Sequence, residues 1–167
     1  MEPTKASADD GLTVRAADDD DPRRRAKTTA EIMRQTGIDE PMIERLVRTF
    51  YGRVRLDPML GPVFAERVTD WNDHMARLCA FWSSVALLSG RYHGQPMQKH
   101  VRLPVDGAHF DRWLDLFEAT AWEICPPAAA ELFVDRARRI ADSLEMGIAT
   151  THGRLHKPRH VTRADRL

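Results

Sequence analysis

The sequence predicts an all-α protein, and three observations carry that expectation. Between residues 32 and 148 apolar side chains recur at intervals of three and four. Nowhere in that stretch do apolar and polar residues alternate as a half-buried strand requires. Prolines fall at the joints between the periodic stretches, where a missing N–H costs least. From Asp39, a good capping residue, Met42, Ile43, Leu46, Val47, Phe50, Tyr51 and Val54 form one stripe that Asp57-Pro58 stops. Asp70 with Asp73 three residues on resembles a capping box, and Trp71, Met75, Leu78, Phe81, Trp82, Val85 and Ala86 continue a second stripe to Gly90. Gly94-Gln95-Pro96 then opens a short helix that Pro104 must end. Phe110, Trp113, Leu114, Phe117, Ala121 and Ile124 define a fourth helix. Pro126-Pro127 closes it and opens a fifth through Leu132, Phe133, Ile140 and Leu144.

A chain of 167 residues, 43% of them hydrophobic, is long enough for one domain with its own core. All the aromatic residues fall between Phe50 and Phe133, which locates that core. Residues 1–33 mix acids and bases with almost nothing large to bury and are expected to be disordered, leaving a domain over 34–148. Segment 149–167 reads as a basic, mobile tail, and its His152, His156 and His160 as solvated. Lys plus Arg and Asp plus Glu balance at 25 each, so no whole-protein field draws the chain to nucleic acid or anionic lipid. The longest uncharged run, Leu78 to Gly90, is too short for a bilayer that needs about 20 apolar residues. Residues 1–30 lack an apolar leader, and Cys79 and Cys125 have no metal or redox spacing; a cytoplasmic protein with reduced thiols is expected.

The usual signatures of chemistry are missing. There is no HExxH, no Gly-rich phosphate loop and no Gly-x-Ser-x-Gly elbow, and no Glu-x-x-His pair of the di-metal bundles. What remains is a set of imidazoles and aromatics on inward-facing stripes. His74, Leu78 and Phe81/Trp82 share a helix face; Tyr51 and Trp113 lie on the stripes of the first and fourth helices, and His100 ends the short one. Taken singly each reads as core or as a hydrogen-bonded histidine. Together they are less easily dismissed: an apolar pocket with one imidazole on one side and phenol, imidazole and indole donors on the other is what a haem with an exogenous axial ligand requires.

The order and spacing go further. Phe50-Tyr51-Gly52-Arg53-Val54, Asp57-Pro58-Met59-Leu60-Gly61-Pro62-Val63-Phe64, Trp71-Asn72-Asp73-His74, Phe81-Trp82, Gly90-Arg91-Tyr92-His93-Gly94-Gln95-Pro96, Lys99-His100 and Phe110-Asp111-Arg112-Trp113-Leu114-Asp115-Leu116-Phe117 together resemble the group III truncated haemoglobins over residues 40–148. That resemblance implies a truncated globin, a two-over-two helical sandwich enclosing haem b, with His100 as the iron ligand. It implies Tyr51, His74 and Trp113 as the distal ligand-binding residues, Leu78, Phe81 and Trp82 as the distal wall, and Phe64 packed on the haem edge. Charged residues nearby would approach the propionates, though the sequence does not say which. His93 and His109 fall outside the ligand positions and read as surface or capping residues.

The implied function is binding of O2 or another diatomic gas at a five-coordinate iron in a polar distal pocket. Donors from Tyr51 and Trp113 to a ligand that gains negative charge would each contribute on the order of 1.5–3 kcal/mol. Such tight binding suits redox chemistry on oxygen, nitric oxide or peroxide, or sensing, better than bulk transport. The competing readings are a haem enzyme with peroxidase-like or dioxygenase activity served by a separate reductase, and a haem-free helical interaction module with charge-rich ends as its binding parts.

Overall fold

A computed structural model describes residues 21–156. Its elements are α1 (Pro22–Thr36), α2 (Glu40–Leu56), α3 (Gly61–Arg67), α4 (Trp71–Leu87), α5 (Pro96–His100), α6 (Gly107–Ile124) and α7 (Pro127–Thr151), with no strand among the described residues. The pair α2/α4 lies over the pair α6/α7, joined where α2 crosses α6 and α4 meets α7. This is the two-over-two sandwich expected from the sequence.

The α2 helix starts where Asp39 accepts the Met42 N–H at 2.8 Å, and its predicted stripe from Met42 to Val54 is buried throughout. Side chains of this size contribute about 1.5–3 kcal/mol each when buried. Asp57 ends α2 and builds the next turn. Its carboxylate accepts the Met59 and Leu60 N–H groups at 3.0 Å each, and the Arg112 guanidinium donates to it at 2.7 Å, tying the turn to α6. The α3 helix, which periodicity did not resolve, follows at once. Gly61 makes it fit, because a Cβ there would lie 2.7 Å from the Arg55 carbonyl oxygen.

At the start of α4 Asp70 accepts the Asp73 N–H at 3.1 Å, but only this half of the expected capping box forms: the Asp73 carboxylate takes the Arg77 guanidinium instead. The helix ends at Leu87 rather than running to Gly90, with Leu88 in the left-handed region at φ 55°. Two cap-and-turn features favour the α6 start: Asp106 accepts the Ala108 and His109 N–H groups, and His109 Nδ1 returns to the Asp106 backbone, so His109 is a capping residue as the sequence suggested. Cys79 and Cys125 are free thiols, and burial pushes both pKa values up.

Helical structure extends past the expected limits of the domain at both ends. Residues 22–33, expected to be disordered, belong to α1, which buries no side chain fully and so gave little signal to a reading based on apolar residues. Ile32 packs on the core, and polar contacts add to it: the Asp21 cap on Arg23 N, the left-handed Gly37 at its end, and the Thr29 hydroxyl donating to the Leu87 carbonyl at 2.8 Å. At the other end α7 continues to Thr151, past the expected start of the tail, and His156 is half-buried beside Asp142 and Glu145 rather than solvated. The readings for 1–20 and 157–167 lie outside the described residues.

Burial alone would raise the Asp57 pKa, but the Leu60 N–H, Arg112 and the Met59 N–H outweigh it and hold the carboxyl below its ordinary value. Asp57→Ala strands two backbone donors and a guanidinium, and urea unfolding at pH 7 should show a loss of about 2–4 kcal/mol. A folded pKa below the unfolded one stabilises above the unfolded value and ceases to do so as pH falls through the folded one. The gap between wild type and Asp57→Ala should accordingly narrow below about pH 4.

Candidate functional site

The sandwich is not closed on itself. A cleft of about 560 Å³ opens between its layers, lined by residues from α2, α3, α4, α5, α6 and α7. That volume is in the range of roughly 300–1,000 Å³ that holds organic ligands and cofactors. Most of its wall is apolar, with Leu60, Phe64, Leu78, Phe81, Val105 and Leu144 prominent.

Three polar side chains enter this apolar space from α2, α4 and α6. Tyr51 is 5% exposed, and burial pushes its phenol pKa far up, so it stays protonated. The nearby Trp113 indole offsets part of that shift. His74 packs edge-on to Tyr51 with ring centroids 6.2 Å apart, and Phe64 and Trp71 flank it at 6.4 and 5.5 Å. Its Nε2 is buried without a hydrogen-bond partner. Desolvation first, then the positive charges of Arg77 and Lys99, lower the His74 pKa, so the ring is neutral at pH 7.

His100, at the end of α5, lines the same cleft. Its Nδ1 lies 2.6 Å from the Pro96 carbonyl oxygen. A carbonyl only accepts, so Nδ1 carries the proton and donates, which leaves the Nε2 lone pair free. This is the tautomer in which a histidine ligates a metal while its other nitrogen is anchored to the backbone.

Of the residues singled out in the sequence, the structure brings Tyr51, Phe64, His74, Leu78, Phe81, His100 and Trp113 to this one cleft. Trp82 is the exception. It does not line the cleft but is 1% exposed in the core, stacked on Phe117 at 4.7 Å and set against Phe133 at 6.1 Å. The helix geometry explains the difference. At about 100° per residue, Phe81 lies within about 20° of His74, whereas Trp82 is turned about 80° away, toward α6 and α7. His93 is exposed, while His109 reaches the cleft's edge from its capping position.

The sequence reading left the rim unassigned, and the structure supplies Arg67, Arg77, Lys99 and Tyr92 there. Arg77 is held by Asp73, one helical turn before it. Tyr92 packs edge-on to Phe81 at 5.3 Å. The spacing of Asp73 and Arg77 along α4 was the available signal for the first; nothing in the periodicity marks Tyr92, which lies in irregular chain.

These residues fit a haem. A flat apolar slot suits the porphyrin, an imidazole with its Nε2 lone pair free suits the iron, and cations at the rim suit two carboxylates. The orphaned His74 Nε2 is a buried polar atom that a ligand in the cleft would satisfy. The fold and cleft are thus those of a small haem-binding globin.

Comparison with known proteins agrees. The family model for bacterial-like globins matches residues 34–144. The group 3 truncated hemoglobin ctb of Campylobacter jejuni is 33% identical over 113 residues, covering 65% of this chain and 89% of that protein. The group 2 truncated hemoglobin YjbI of Bacillus subtilis is 30% identical over 79 residues, covering 46% of this chain and 60% of that one. The crystal structure of the group III truncated hemoglobin from Campylobacter jejuni superposes with a TM-score of 0.61 at 34% identity, over 65% of this chain and 89% of that one. The chain belongs to the bacterial-like globin family and is a haem-binding truncated haemoglobin of the group III type. No helix among the described residues is long and apolar enough to cross a membrane.

The electrostatics of His74 are open to measurement in the haem-free protein. Because Arg77 lowers its pKa, Arg77→Gln should move the ring's titration upward, toward the ordinary value near 6.5. The imidazole resonances in an NMR titration report the shift; an unchanged midpoint would mean that Arg77 does not act on the ring.

Proposed function

We propose that the protein holds haem b through His100 Nε2 and binds O2 or another diatomic gas on the side of Tyr51, His74 and Trp113. Its task in this reading is redox chemistry on oxygen, nitric oxide or peroxide, or sensing, rather than bulk transport. Haem supplies a ferrous iron that takes a diatomic gas. The chain supplies everything else: a dry slot, a fixed imidazole, and donors for charge that develops on the gas. Arg67, Arg77, Lys99 and Tyr92 at the rim are the groups available to the propionates, and Leu78, Phe81 and Phe64 the apolar wall.

The observation that carries the reading is the buried, unpartnered His74 Nε2 set edge-on to Tyr51 inside the apolar cleft. In this reading the Trp113 N–H turns to the phenol oxygen, which leaves the Tyr51 O–H as the free donor. The two residues then work in series rather than side by side. Trp113 holds the phenol in place and makes its O–H a better donor, and Tyr51 makes the contact to the gas.

A second reading has its own support. A neutral His74 with a free, buried nitrogen can accept and return a proton at pH 7, as a peroxidase-like or dioxygenase reaction requires. Such turnover would draw electrons from a separate reductase. Peroxide consumption by the purified protein, lost in His74→Leu, favours this reading; equal turnover by both proteins removes it.

His100→Ala should abolish stable haem retention, and a normal ferrous spectrum in that variant would overturn the proximal assignment. On the distal side, Tyr51→Phe should raise the oxygen dissociation rate by roughly tenfold or more, the loss of one charge-assisted bond of at least about 1.4 kcal/mol. Carbon monoxide, which gains little charge, should respond less. Trp113→Phe should act only through the phenol, so that stopped-flow rates for the double variant match those of Tyr51→Phe alone. Additive effects would mean that both residues donate to the gas independently.

A further inference from the structure

The distal wall rests on three long helices, but the helix that carries His100 has little of its own to hold it. The α5 helix is five residues long, buries no side chain and starts at Gln95 without a side-chain cap. It packs on α7. The point of contact is Met97, half-buried and three residues before His100, hence on nearly the same face of the short helix. Its thioether occupies the space above Gly147 of α7: a Cβ on Gly147 would lie 2.2 Å from Met97 Sδ and 2.7 Å from Cε. Both are well inside contact distance, so any side chain at 147 must displace Met97.

Resting on the assignment of His100 to the iron, we propose that Met97 seated on Gly147 is the positioning contact of the proximal histidine. A glycine inside a helix, here about one turn before the end of the 25-residue α7, costs roughly 0.5–1 kcal/mol relative to alanine. Here the missing Cβ is used, because it lets the thioether dock directly on the α7 backbone. The same helix turn carries the Pro96 carbonyl that fixes the imidazole's tautomer, and the Val101 N–H closes the turn on the Met97 carbonyl at 3.0 Å. Height and tilt of His100 over the cleft therefore follow the seat of Met97. An unbranched thioether suits this role, since it fills an irregular gap without strain.

The test compares Gly147→Ala, Met97→Ala and the double variant as haem-loaded proteins, with His100→Ala as the control on the underlying assignment. Resonance Raman of the ferrous protein reads the iron–histidine stretch directly. That stretch should shift in each single variant, and haem loss to a scavenging apoglobin should quicken by about tenfold, the size expected for part of a methionine's packing. Because both substitutions break one contact, the double variant should be no worse than the worse single variant. The shift should also appear where far-ultraviolet circular dichroism and the thermal midpoint stay close to wild type, which a merely structural contact would not produce. If Gly147→Ala does not fold, Met97→Ala alone carries the test. A stretch and a haem-loss rate unchanged in a folded single variant would overturn the proposal while His100→Ala still loses its haem. A normal ferrous spectrum in His100→Ala would instead overturn the assignment beneath it, and the proposal with it.

Discussion

Phe117 sits between two tryptophans, and the distal side of the cleft depends on that sandwich. Trp82 of α4 stacks on it at 4.7 Å and 17°, and Trp113 of α6 at 5.4 Å and 13°. Phe50 of α2 meets both Phe117 and Trp113 edge-on, at 5.0 and 5.4 Å. Each such pair contributes about 0.5–1.5 kcal/mol beyond the area it buries, and together they lock three helices at one point. The functional consequence is the plane of the Trp113 indole. With one face stacked and its edge held, the indole is fixed beside Tyr51 in the cleft. Trp82, outside the cleft, acts on it through this stack, although its own Nε1 is buried without a partner. Leaving such a group unsatisfied costs about 1–3 kcal/mol. Retaining a tryptophan there, where a phenylalanine would leave no orphan, is consistent with a need for its larger stacking face.

The two sides of the cleft are built differently. Aromatic packing and the Asp57 hub fix the distal donors, as a preorganised electrostatic site requires. The other wall is a short helix that buries no side chain fully and leans on α7, with the Met97 thioether seated over Gly147. A five-residue helix of this kind is marginal by itself, so small changes in its seat reach the imidazole without crossing the core. Rigidity where charge must be stabilised and slack beside the iron ligand are compatible because separate helices carry them.

Much of this was legible in the sequence, and the residues show why. The stripe from Met42 to Val54 is buried residue by residue as its spacing predicts, since period-3.6 patterning and core burial are the same physical fact. Prolines marked the joints at 58, 96 and 126 for the same backbone reason that they sit there. Tyr51, His74, His100 and Trp113 taken singly read as ordinary core residues; their shared inward-facing stripes suggested a pocket, and the resemblance of their order to a family gave each a role. The misses have causes too. The α1 helix buries no side chain fully and sets only Ile32 against the core, so apolar periodicity carried little trace of it, and polar contacts add to its hold. Trp82 shares a stripe with Phe81, and choosing between neighbours 100° apart needs the partner helices, which no local pattern supplies. The rim cations and Tyr92 are gathered from α3, α4, α5 and a loop, a grouping that exists only in three dimensions.

The central claim is that this cleft holds a haem with an open side for a gas. The visible absorption spectrum of the protein, expressed with haem available and recorded ferric, ferrous and under carbon monoxide, addresses it most directly. The account predicts a Soret band that moves on reduction and moves again with carbon monoxide, as a haem with one protein ligand and one free position must. A protein that is folded and helical yet shows no Soret band, or whose ferrous band ignores carbon monoxide, would contradict it.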